Sequence, residues 1–212
     1  MNPYAWVALA VTGVFAAGNW WGVARGDRRL EYVCKPATMA ALLVFALVLD
    51  PANGASDQRA WFVAALAFSL VGDVCLMLPS DRFVAGLASF LVAHICYIAG
   101  FWTDPPSAAA FAIAAVVVVL AVAPVAVRVL RALSTEPDLR PPVAVYMVVI
   151  AVMVASALAS GRVTTATGAV LFAASDSLIA WNRFVRPVPH AGLLVMVTYH
   201  VGQALLILTL LG

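Results

Sequence analysis

The chain has 212 residues, 65% of them hydrophobic and 10% charged, with a net charge of +2 and a mean hydropathy of +1.03. That composition excludes a soluble globule. Three cysteines in apolar surroundings exclude a disulfide framework or a zinc ribbon and read as packing residues. No stretch interleaves basic and aromatic residues as nucleic-acid binders do, so no nucleic-acid partner is expected.

A helix needs roughly 20 mostly apolar residues to cross ~30 Å of hydrocarbon. Eight segments of that length are predicted, at 4–24, 33–50, 60–78, 83–102, 107–130, 142–160, 164–182 and 190–211. The first lacks a basic start and ends in the interfacial phrase GNWWGVARG, so it reads as a helix rather than a cleaved leader. The second begins near Lys35. The third sets Ser69, Gly72 and Asp73 on one helical face. The fourth carries a stripe of Phe90, His94 and Tyr97, spaced i, i+4, i+7.

The fifth segment is an Ala/Val/Leu run, followed by RALSTEPDLRPP, a solvated connector rather than a domain boundary. The sixth has Tyr146 in its first turns. The seventh places Phe172, Ser175 and Asp176 on one face and ends near Asn182. The eighth aligns Met196, Tyr199, His200 and Gln203. Little is left for an aqueous domain, so residues 1–212 form one integral membrane domain. Long apolar runs favour helices over the alternation of a barrel. The fold class is therefore an all-α polytopic helix bundle.

Asp73 and Asp176 are the most informative residues. An ionisable group at membrane depth is costly unless it faces a polar interior, which makes it a functional candidate. Each closes a similar phrase, FSLVGDVCLM and LFAASDSLIA, half a chain apart. This spacing suggests a parallel 4+4 internal repeat with the third and seventh helices adjacent. Both carboxyls would then share one cavity near the same end of the bundle, with the two histidines nearer the midplane. Small neighbours such as Gly72 allow close helix approach.

Charge predicts the orientation. The loops joining segments 1–2, 3–4, 5–6 and 7–8, with the helix ends beside them, carry ten basic residues, and the other side has only Arg59 and Arg162. Such a bias places the basic side in the cytoplasm and both termini outside, with the site open toward the cytoplasm. Trp20, Trp21, Trp61, Trp102 and Trp181 fall near segment ends, as interfacial rings do. An Ala-, Val- and Arg-rich, Lys-poor composition points to a GC-rich bacterial genome and hence a bacterial cytoplasmic membrane.

Five phrases, in this order and spacing, carry a resemblance: KPATMAALL, GDVCLML, FVAGLASFLVAHICYIAGF, GAVLFAASDSLIAWNRF and TYHVGQALLI. They span the second to eighth helices. Together they resemble the YhhN-like family of membrane lysoplasmalogenases. The resemblance implies hydrolysis of the vinyl-ether bond of a lysoplasmalogen to a fatty aldehyde and a glycerophospho-headgroup. The implied partners are a lysophospholipid substrate and the bilayer, with no cofactor; oligomeric state is not legible.

A vinyl ether resists nucleophiles and reacts by protonation at carbon, giving an oxocarbenium ion that water captures. The chemistry calls for a carboxylic acid and a carboxylate. Two nearby buried carboxyls resist ionising together, so one keeps its proton. Asp176, in AASDS surroundings with little charge compensation, is favoured as the acid, and Lys35 would keep Asp73 ionised. His94, Tyr97 and Tyr199 are candidates for orienting water or substrate, with Tyr146, His200, Gln203, Ser69, Ser175 and Asn182 beside them. Lys35 and the cytoplasmic arginines would hold the phosphate. Two alternatives stay open: a divalent metal on Asp73, Asp176, His94 and His200, and a non-enzymatic lipid or proton-coupled carrier.

Overall fold

The computed structural model describes residues 1–52, 54–79 and 82–212. Among these residues are eight helices long and apolar enough to cross a bilayer, and no strand. They are α1 (Pro3–Arg25), α2 (Arg28–Val48), α3 (Ser56–Met77), α4 (Phe83–Phe101), α5 (Ala108–Ala132), α6 (Arg140–Ala159), α7 (Val163–Phe184) and α8 (Ala191–Leu208).

Two boundaries differ from the hydropathy reading because polar turns continue a helix beyond the apolar layer. At the α1–α2 connection Gly26 adopts φ 70°, a left-handed cap that suits glycine. Its neighbour Asp27 accepts hydrogen bonds from the backbone N–H groups of Arg29 and Leu30 at 3.0 and 3.2 Å. That cap starts α2 at Arg28 rather than at 33, so Lys35 lies two turns inside the helix instead of at its start. Similarly, the polar turn Ser-Asp-Gln-Arg starts α3 at Ser56 rather than at 60.

Seven helices close a ring in the order α1, α2, α3, α4, α6, α7, α8, with α8 packed back on α1. α5 stands outside it, against α6 and α7. Only Ala114, Val118 and Val129 of α5 are buried, while Ile113, Val116, Val117, Val119 and Leu120 are exposed, as suits a lipid-facing helix. The expected adjacency of the third and seventh helices is corrected: α3 packs on α2 and α4, and α7 on α6 and α8. Aromatic side chains fill the interior instead, with Phe172 in ring contact with Tyr199, His94 and Phe90.

The parallel repeat is not established by this packing. Sequential pairs do pack alike in both halves, but α1 belongs to the ring whereas α5 lies outside it. Depth differs as well. Asp73 is four residues from the end of α3 and Asp176 eight from the end of α7, or about 6 and 12 Å along the axes.

Without water between helices, close packing and interhelical hydrogen bonds hold a membrane bundle together. α7 and α8 meet backbone to backbone: a Cβ on Gly202 would lie 2.9 Å from the Gly168 carbonyl oxygen, and one on Gly168 would lie 3.0 Å from that of Gly202. Across α3 and α4, the Phe90 ring fills the space where a Gly72 Cβ would stand, 2.7 Å away. That contact fixes Phe90, and with it the stripe carrying His94 and Tyr97.

Candidate active site

Two polar clusters occupy the interior, one around each aspartate. In the first, Lys35 of α2 places its Nζ 3.2 Å from Asp73 Oδ1, and the Tyr199 hydroxyl of α8 donates to Asp73 Oδ2 at 2.8 Å. Asp73 and Lys35 are both buried. A buried charge needs a partner and satisfied hydrogen bonds, and this carboxylate has both. One turn farther along the α3 face, Ser69 accepts from Gln203 Nε2 at 3.0 Å, and Gln203 Oε1 accepts from the Tyr97 hydroxyl. α2, α3, α4 and α8 are thereby joined by one hydrogen-bonded network.

The second cluster forms between α4, α6 and α7. The Tyr146 hydroxyl donates to Asp176 Oδ2 at 2.5 Å, and His94 Nε2 lies 3.5 Å from the same oxygen. His94 stands eleven residues into α4 from Phe83, about 16 Å along the axis and deeper than either aspartate. Its Nδ1 lies 2.5 Å from the Phe90 carbonyl oxygen. A carbonyl only accepts, so Nδ1 carries a proton, and Nε2 points toward Asp176. Buried and 3.5 Å from Asp176 Oδ2, His94 Nε2 has no hydrogen-bond partner among the described residues. Unlike Asp73, Asp176 has no lysine or arginine in ion-pair contact among the described residues.

The rings of Phe90 and Phe172 separate the clusters. The Phe172 ring lies 4.7 Å from His94 and 5.3 Å from Tyr199, centroid to centroid.

Asp176 and Tyr146 form a polar edge of an apolar cavity of about 60 Å³ that opens to the exterior. Its other walls come from α3, α4, α5, α6 and α7, among them Leu87, Val122 and Ile150. Leu76, Phe83 and Ile179 also line a second cavity of about 400 Å³, whose walls include Glu31, Lys35, Asn182 and Arg183. The two spaces therefore share a wall, one apolar and one charged. Asp73 lines neither, lying behind Lys35 and Tyr199, so the expectation of both carboxyls on a shared cavity is corrected.

Three residues expected at the site serve other contacts. Ser175 donates to the Val195 carbonyl at 3.2 Å, bonding α7 to α8. Asn182 accepts from the Val188 N–H at 2.9 Å, holding the α7–α8 connection while lining the charged cavity. His200 Nδ1 accepts from the Trp20 indole at 3.1 Å, which ties α8 to α1. Among the described residues no three His, Cys, Asp or Glu side chains group as metal ligands would. The Phe172 partition went unrecognised, although its position one turn before Asp176 on the same face was a usable signal. Glu31, one turn before Lys35 in α2, lines the charged cavity as well.

The sequence model of the YhhN family matches residues 30–210. The chain belongs to the YhhN family. Among relatives of this YhhN member, human lysoplasmalogenase TMEM86B is 36% identical over 178 residues, covering 84% of this chain and 73% of that protein. A lysoplasmalogenase of Mycobacterium bovis is 40% identical over 155 residues, covering 70% of this chain and 58% of that one. Human lysoplasmalogenase TMEM86A is 32% identical over 155 residues, 68% of this chain and 62% of that protein. No solved structure matches this YhhN chain.

Proposed function

We propose that the chain is a membrane lysoplasmalogenase in which Asp176 is the proton donor. The reading rests on relatives named lysoplasmalogenase and on one observation: Asp176 is the carboxyl on the wall of the apolar cavity, among the described residues. The alkenyl chain lies in that cavity and the phosphate in the charged one, near Lys35 and Arg183. The vinyl ether then crosses the shared wall beside Asp176. An apolar lining with a few placed polar groups is the usual form of such a ligand site.

The Asp176 carboxylic acid gives its proton to the β-carbon of the vinyl ether, whose π electrons form the new C–H bond. The resulting oxocarbenium ion carries its charge beside the new carboxylate, which stabilises it and takes a proton from the incoming water. Water oxygen bonds to the cationic carbon and gives a hemiacetal. Its collapse breaks the bond to the glycerol oxygen, which takes up the hydroxyl proton, and releases aldehyde and alcohol. Acid and base are the same group at successive moments. The Tyr146 hydroxyl, donating to Oδ2, and His94 beside it hold Asp176 in place. Asp73 acts through its partners, fixing Lys35 and Tyr199.

The ten-to-two distribution of basic residues supports placing the charged cavity in the cytoplasmic leaflet of a bacterial membrane, termini outside. Turnover by purified single-residue variants tests the chemistry. Asp176→Asn lowers aldehyde release by about 10²–10⁴-fold, the usual weight of general acid–base assistance. Asp73→Asn has a smaller effect on kcat in the fraction that folds. Wild-type turnover in well-folded Asp176→Asn would end the assignment.

A further inference from the structure

Glu31 and Lys35 stand four residues apart in α2, a spacing at which opposite charges ordinarily pair on the helix surface. Here they do not. Lys35 turns inward to Asp73 at 3.2 Å, and Glu31 is left with no ion pair or side-chain hydrogen bond among the described residues. Its half-buried carboxylate lines the charged cavity, together with Lys35, Asn182 and Arg183. The cavity thus offers positive groups and one uncommitted negative group, which suits a ligand carrying both signs.

The aromatic content of the same walls discriminates between kinds of cation. Phe83 is the aromatic residue among the described lining, and the Arg183 guanidinium already lies over its ring, 4.3 Å from the centroid. A quaternary ammonium has no N–H to donate and is held by open aromatic faces. A primary ammonium donates hydrogen bonds and suits a carboxylate. We propose that this cavity selects a phosphoethanolamine headgroup over phosphocholine, with Glu31 as the residue that determines the preference. The proposal deepens the lysoplasmalogenase reading and rests on it for the placement of the lipid.

Binding and turnover separate the two claims. Full-length protein in nanodiscs is titrated with saturated alkyl-ether lysolipids, which lack the reacting double bond, bearing ethanolamine, choline or phosphate alone. The wild type binds the ethanolamine lipid roughly tenfold tighter than the choline lipid, the weight of about one charge-assisted hydrogen bond. Glu31→Gln brings the two affinities together, mainly by weakening the ethanolamine arm, while Glu31→Asp keeps part of the preference. Retained choline-lipid binding shows that the variants are folded. Equal affinities in the wild type, or an undiminished preference in Glu31→Gln, overturn the proposal. Alkenyl substrates are run in parallel. Ethanolamine-selective binding without aldehyde release would sink the hydrolase reading alone, and aldehyde release without headgroup preference would sink the headgroup assignment alone.

Discussion

The Lys35–Asp73 pair is buried on both sides, at 8% and 2% side-chain exposure, so its partners stand or fall together. Removing one partner strands a charge in the bundle, at a cost of about 3–5 kcal/mol in comparable buried pairs. Asp73→Asn is therefore expected to lower the thermal midpoint and the folded yield in detergent. Adding Lys35→Met to it restores most of that loss, because no charge is then left uncompensated. A size-exclusion-coupled melting assay reads both. A single variant as stable as the wild type would show that water reaches the pair. Both aspartates were legible as candidates, since carboxyls inside apolar segments stand out. Their difference in role was legible only in part, through the uncharged surroundings of Asp176. His94 and Tyr146 lie 82 and 30 residues from Asp176 in sequence, and the ring packing that brings them to its oxygen has no local signature.

At the scale of elements, glycine packing sets which helices approach closely. A Cβ on Gly202 would meet backbone atoms at 2.9 Å, whereas one on Gly13 of α1 would meet nothing within 4 Å. Backbone cannot yield as a flexible side chain does, so Gly202→Ala forces α7 and α8 apart. A loss of about 1–3 kcal/mol is expected, as for overpacking in general. Gly13→Ala should leave stability unchanged or raise it, since alanine is the better helix former. Thermal midpoints of the two variants check this, and equal midpoints would contradict the account of the α7–α8 contact. Helix number and type were legible from hydropathy, because a bilayer demands long apolar runs. Helix starts were not, because caps such as Asp27 extend polar turns into water. Nor was the exile of α5 foreseen. Its nearly uniform apolar surface reads the same whether lipid or protein covers it.

The whole molecule is a ring of seven helices with α5 outside, enclosing two polar clusters and opening through adjoining apolar and charged cavities. Ten of the twelve basic residues on one side predict its orientation, with that side cytoplasmic. A reporter enzyme active only outside the cytoplasm, fused after Gly212, should be active, and the same reporter inserted between Pro137 and Asp138 should be silent. The reverse pattern would place the charged cavity on the outer leaflet. The central claim is that a protein carboxyl protonates carbon, and the rate of turnover records that event. With purified protein in a bilayer, the wild type should release aldehyde from a lysoplasmalogen more slowly in deuterated than in ordinary buffer, because proton transfer to carbon limits the rate, and Asp176→Asn should release almost none. Equal rates in the two buffers, or the wild-type rate from the folded variant, would contradict the account.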